Sequence, residues 1–166
     1  RLLTQVLRPG DIFIDVGAHV GFFSIVASYL VGNAGQVISI EPNAENFRAL
    51  EAHVTLNERK NFRLVNAVAC ETDGSVEFYR NSDNDGGHAL WDPGLHSFNE
   101  LSRAETDKDT YPAVRLDILA ERYSLQDCRA VKIDTEGAEL TVLKGGGEFF
   151  RPEKVPFVVC EMHEFG

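Results

Sequence analysis

Short apolar runs alternate along this chain with segments whose apolar positions recur every three to four residues. The runs are Ile12-Phe13-Ile14 with Val16, Val37-Ile38 with Ile40, Phe62 to Ala69, Ala130 to Asp134 and Val155 to Glu161. Continuous apolar runs bounded by turn residues read as strands buried on both faces of a parallel sheet. Between them, Phe22 to Leu30 winds a helix that stops near Gly32-Asn33. A second helix starts at Pro42-Asn43-Ala44-Glu45 and carries the stripe Phe47, Leu50, Val54 and Leu56 to about Asn57. A third, short helix covers Asp117 to Tyr123 with Asp117 as its N-cap. A fourth runs through Leu140, Val142 and Leu143 to Gly145-Gly146-Gly147. Arg1 to Leu7 reads as the end of an amphipathic helix. Strands alternating with helices predict a parallel sheet with helices on its faces.

The middle breaks this rhythm. Glu71 to Ser75 is turn chemistry and Val76 to Tyr79 alternates, so residues 66–79 read as a hairpin. Asn81 to Tyr111 is polar, without periodicity, and reads as a long loop, either functional or disordered. The expected architecture is therefore one α/β domain, 1–166, with a hairpin and loop insertion around 68–112.

The candidate chemistry lies at the strand ends. Gly10 to Gly21 reads as strand, glycine turn and helix start, the unit that brings backbone close to a ligand at the carboxyl edge of a sheet. A phosphate ligand would call for Lys or Arg, and none lies between Gly10 and Glu41. Asp15 precedes the turn formed by Gly17, Ala18 and Gly21, and Glu41 closes the next strand. Carboxylates at these places repel pyrophosphate, suit an ammonium or sulfonium, and accept hydrogen bonds from ribose hydroxyls. S-adenosylmethionine fits that description. A glycine turn without a ligand is the plainer alternative.

Charge sharpens this. Of 166 residues, 26 are Asp or Glu and 16 Lys or Arg, for a net charge of −10, which disfavours nucleic acid as a partner. No apolar run reaches the roughly 20 residues that span a bilayer, and no signal peptide is visible. The first residue is Arg1 rather than Met, which leaves a removed leader open. Cys70, Cys128 and Cys160 form no metal or redox motif, so a reducing, cytoplasmic setting is expected.

The segments GDIFIDVGAHVGFFS, VISIEPNAENFRALEAHVTLN, NAVACETDGSVEFY, VRLDIL, VKIDTEGAELTVLKGG and VVCEMH together resemble the FkbM family of S-adenosylmethionine-dependent methyltransferases. The resemblance implies a class I methyltransferase fold, with a mostly parallel central sheet of seven strands. It also implies methyl transfer to a hydroxyl oxygen of a carbohydrate or natural-product small molecule. By the same resemblance Asp15, Gly17, Ala18 and Gly21 would form the methionine side of the donor site, with Asp15 reaching the amino group directly or through water. Glu41 would hold the ribose, and Asn66 and Ala67 would border the adenine, a simple strand-to-hairpin bend being the plain alternative for these two. Asp134 would face the transferred methyl. The family commonly has Asn where this chain has His19, so His19 takes no role from it. The sixth and seventh strands have no counterpart here: the domain is shortened, or the sequence ends early.

Methyl transfer to a hydroxyl needs alignment and a base. Asp134, Glu136, Glu161 and His163 are the candidates; Glu136 could orient the acceptor or take its proton, either Glu161 or His163 could be the base, and titration near neutral pH favours His163. Helix capping is the plain alternative for Asp134 and Glu136. Asp134, Glu161 and His163 would also suit an oxygen-rich metal site, but their spacing is not diagnostic and none is expected. Three other readings stay open: transfer to nitrogen or to a protein, a non-catalytic domain that keeps the fold, and a NAD-dependent oxidoreductase. Asp15 and the lack of Gly-x-Gly-x-x-Gly disfavour the last. Oligomeric state is not legible.

Overall fold

The computed structural model describes residues 2–80, 107–125 and 127–161. Five strands form the central sheet: β1 (Ile12–Val16), β2 (Gln36–Ile40), β3 (Phe62–Val65), β7 (Cys128–Ile133) and β8 (Phe157–Cys160). All four pairings are parallel, and the order is β3-β2-β1-β7-β8. The direction of build-up reverses between β1 and β7, the place where open α/β sheets bind ligands beyond the carboxyl ends of their strands.

Period-two alternation sorts the strand residues between the two faces. Phe13, Val37 and Ala130 sit on one face, packed with Val6 and Leu7 beside α1 (Leu2–Val6) and with Ala27 and Val31 of α2 (Phe22–Val31). Ile14, Val16, Ile38, Ile40, Val131 and Ile133 sit on the other. They pack with Leu116 and Leu119 of α4 (Leu116–Tyr123), Val142 of α5 (Glu139–Gly146) and Phe149 of the 3-10 turn Gly147–Phe150. Helix α3 (Ala44–Leu56) is fixed to the sheet edge by Leu50 and Val54.

Four expectations change. The run 62–69 is two strands, β3 and β4 (Val68–Ala69), separated at Asn66 and Ala67. The hairpin is formed by β5 (Gly74–Arg80) and β6 (Asp107–Val114), with β4 parallel to β6 on its other side. Residues 107–111, read as loop for their polarity, are strand because β5 supplies a full antiparallel ladder to them. Arg115, not Asp117, is the N-cap of α4. Asp117 lies in the first turn, where it accepts from the Ile118 N–H and pairs with Arg115, which holds its carboxyl below the usual range. The remainder of the predicted loop, 81–106, lies outside the described residues.

Asn43 caps α3, its side-chain oxygen accepting from the Glu45 and Asn46 N–H groups at 2.9 and 3.0 Å. Because α3 follows directly on Glu41, this cap also steadies the edge of the site. Asn43→Ala should lower unfolding free energy by about 1 kcal/mol, read from urea denaturation.

Candidate functional site

A cavity of about 310 Å³ opens at the carboxyl ends of β1, β2 and β7. The turn after β1 supplies Gly17, Ala18 and His19, the end of β2 supplies Glu41, and the segment after β7 supplies Asp134 and Glu136; Ala67 and Val68 close the far wall. Six of the residues expected at the site, Gly17, Ala18, Glu41, Ala67, Asp134 and Glu136, thus line one cavity.

The glycine turn is built by close approach. Gly17 and Ala18 both donate to the Ile40 carbonyl at 3.0 Å, tying the turn to β2. Gly17 has φ 74°, and a Cβ there would stand 1.8 Å from the Asp134 carbonyl oxygen. His19 follows at φ 51°, a left-handed conformation that Asn, Asp and His tolerate better than most residues. Its N–H donates to Glu41 Oε2, and the Asn43 N–H donates to Oε1, both at 2.9 Å. Two backbone donors therefore fix the Glu41 carboxylate at the cavity wall. Burial is the larger influence and pushes this carboxyl above its ordinary value of 4.5, against the pull of both N–H groups.

Asp15 is placed differently from the expectation. It is fully buried behind the turn and is not among the lining residues. Its Oδ2 accepts from Ser24 of α2 at 2.6 Å, and its Oδ1 faces Lys132 Nζ at 3.2 Å. Asp15 sits beside Ser39 in the β1–β2 register and beside Lys132 in the β1–β7 register, on the face covered by α2. Ser39 donates to Ser24 at 2.8 Å, which completes a polar row from β2 across β1 to β7. Burial raises the Asp15 carboxyl against the opposing pull of Lys132 and Ser24. The cation that answers Asp15 is a protein side chain.

Lys132 lines the same cavity and is not among the residues that the sequence singles out. Its Nζ also lies 3.2 Å from Asp134 Oδ2, donates to the Gly17 carbonyl at 3.2 Å, and stands 5.3 Å from the centre of the Phe23 ring. Its side chain is 12% exposed, against 31% for Asp134. The available signal was a lone charge inside the apolar strand Ala130-Val131-Lys132-Ile133, a placement that requires a partner.

The segment after β7 is equally constrained. Glu139, buried at the start of α5, accepts through Oε1 from the Thr135 N–H and hydroxyl at 3.1 Å and from the Gly137 N–H at 3.0 Å. Glu136, between them, has φ 51°. Left-handed non-glycine residues at both His19 and Glu136 put backbone strain on either side of one cavity, where ligand sites concentrate it.

The remaining candidates lie apart from the cavity lining. Gly21 packs beneath Leu50, where a Cβ would approach Leu50 Cδ1 to 2.4 Å. Asn66 donates to the Glu41 and Pro42 carbonyls, so it braces the β2 end from outside. Glu161 continues the β8 ladder through its N–H to the Ile133 carbonyl. His163 lies outside the described residues. Burial raises each of the three thiols, Cys128 to about 12, so none is poised as a thiolate.

The donor set suits S-adenosylmethionine. Carboxylates at Glu41, Asp134 and Glu136 outnumber the single lysine at the wall, which already answers two carboxylates, and Ile40, Ala67 and Val68 give an apolar surface for a base. Sheet order and cavity together define a class I methyltransferase fold. The chain belongs to the methyltransferase FkbM domain family, whose model matches residues 15–166, and whose methyl donor is S-adenosylmethionine. It is 27% identical over 164 residues to hexuronic acid methyltransferase AglP of Haloferax volcanii, covering 98% of this chain and 60% of that protein. Among solved structures, an S-adenosylmethionine-dependent methyltransferase of Aquifex aeolicus is 25% identical with a TM-score of 0.40, over 43% of this chain and 38% of that one. The precorrin-6y C5,15-methyltransferase of Geobacter metallireducens is 26% identical with a TM-score of 0.37, over 39% and 35%.

Removing Glu139 would strand three donors at once. Glu139→Ala should cost roughly 2–3 kcal/mol of stability, read from chemical denaturation, with Glu139→Gln intermediate because one amide oxygen can still accept.

Proposed function

We propose that this chain transfers a methyl group from S-adenosylmethionine to a hydroxyl oxygen of a carbohydrate or similar small molecule. The observation that carries the donor half is the Glu41 carboxylate, fixed by two backbone N–H groups on the wall of a cavity at the switch point of the sheet. Support for the acceptor comes from the sugar-acid methyltransferase named above, of which this chain spans about 60% of the length.

The bound donor supplies an electrophilic methyl on sulfonium. In this reading Glu41 accepts from both ribose hydroxyls, and Gly17 and Ala18 present backbone to the methionine portion. Ala67 borders the adenine, with Asn66 acting through the Glu41 backbone. Asp134 sits at the cationic centre, where a carboxylate favours positive charge. Glu136, also on the cavity wall, takes the acceptor's hydroxyl proton as its oxygen attacks. Asp134 already answers Lys132, which leaves it the lesser choice for that proton. The acidic net charge supports a small-molecule acceptor over nucleic acid. Among the described residues no helix is long and apolar enough to cross a membrane. Three cysteines at unpaired spacings in the sequence support a reducing, cytoplasmic setting.

Calorimetric titration with S-adenosylhomocysteine, with NAD as control, tests the donor half. Micromolar binding of the former alone is the expected result, and uptake of NAD instead would overturn it. Glu41→Ala should weaken that binding by roughly 1–3 kcal/mol through lost charged hydrogen bonds. Because the Glu41 carboxyl is raised, it takes up its proton at a higher pH than an ordinary glutamate. Affinity should therefore fall as pH drops into and below that raised range, and Glu41→Gln should flatten the dependence. Methyl transfer from radiolabelled donor to glucuronic and galacturonic acid derivatives tests the acceptor. Labelled methyl ethers support the hydroxyl reading; label found only as a base-labile methyl ester of the carboxylate would sink it.

A further inference from the structure

Lys132 makes more contacts than charge balance requires. A lysine whose duty was to neutralise Asp15 would need the 3.2 Å contact to Asp15 Oδ1 alone. This one also holds Asp134 Oδ2 and the Gly17 carbonyl, each at 3.2 Å. Those two atoms belong to neighbouring strand ends that both line the cavity: Gly17 to the turn after β1, Asp134 to the segment after β7. Two carboxylates pair with the ammonium, and the Gly17 carbonyl accepts a hydrogen bond from it. Phe23 covers it at 5.3 Å from the ring centre, and the side chain keeps only 12% of its surface in solvent.

The charges around it follow from this count. Asp15 and Asp134 carry two negative charges against one positive, so the cluster presents one net negative charge. The more exposed member, Asp134, delivers it to the cavity. Lysine is suited to this place as a compact charge with three rotatable donors, which a planar guanidinium cannot match in the same volume.

We infer that Lys132 is the positioning residue of the donor site: anchored on the Gly17 carbonyl and on Asp15, its ammonium turns the Asp134 carboxylate toward the cationic centre of the donor. This rests on the reading that the cavity holds S-adenosylmethionine. Lys132 itself touches neither reacting atom.

The double variant Asp15→Asn/Lys132→Met tests it. It removes one charge of each sign, so the cluster keeps its net charge and no carboxylate is left buried without a cation. A change in affinity then reports geometry. Wild type, the double variant and Lys132→Arg would be titrated with S-adenosylhomocysteine, with thermal unfolding of each as the check on folding. The inference expects a double variant with a cooperative melt whose dissociation constant is at least about tenfold higher than wild type. It expects Lys132→Arg to fall between the two, since a guanidinium still reaches some of the same acceptors. A folded double variant that binds within about threefold of wild type would overturn the inference and leave the donor reading standing. If wild type takes up no S-adenosylhomocysteine, the donor reading fails, and the role of Lys132 fails with it. If the double variant does not fold, Lys132→Arg decides: weakened binding with an unchanged melt supports positioning, and unchanged binding refutes it.

Discussion

A carboxylate with no exposed surface in the middle of a sheet is costly unless a cation and hydrogen bonds meet it, and Asp15 is such a carboxylate. Its answer comes from Lys132, abreast of it on the neighbouring strand, and from Ser24, which descends from the helix above. Breaking a buried pair of this kind costs about 3–5 kcal/mol. That makes the pair a strict specification of strand register. Slipping β7 by one residue against β1 would carry Lys132 to the opposite face and place an apolar side chain against Asp15. Apolar packing draws these strands together; the charge pair decides which residues stand side by side.

Register in turn decides what projects past the sheet. With β1 and β7 locked, Gly17 and Asp134 leave their strands at the same level, close enough that the glycine is compulsory. Glu41 leaves β2 at that level as well, tied to β3 by its N–H to the Val65 carbonyl. Backbone strain is then spent in two places, His19 and Glu136, where the chain must turn sharply to line the cavity instead of running on.

Much of this was legible in the sequence, and the residues that were not share a reason. The apolar runs located all five strands of the central sheet, because strands buried on both faces cannot hide their composition. Gly17, Glu41 and Asp134 could be read as strand-end residues from their neighbours alone. Lys132 could not, because its meaning depends on a strand far away in the chain that only the parallel sheet brings alongside. Asp15 was read as facing a ligand for the same reason: its charge was visible and its partner was not. Residues 107–111 carry Asp, Lys and Thr before Pro112 and resemble a loop; they become strand through pairing with β5, and pairing is a property of two segments. Asp117 in the first turn of α4 has the chemistry of a cap, yet the helix starts at Leu116 with Arg115 at its cap, so Asp117 lies two places beyond the cap position.

The contact between Gly17 and the backbone of Asp134 makes the two strand ends a single joint. Any side chain at position 17 would have to push two strands apart, so the turn after β1 and the segment after β7 move as one piece. A substitution at position 17 is therefore felt at Asp134, across the sheet, with no change in the sequence there.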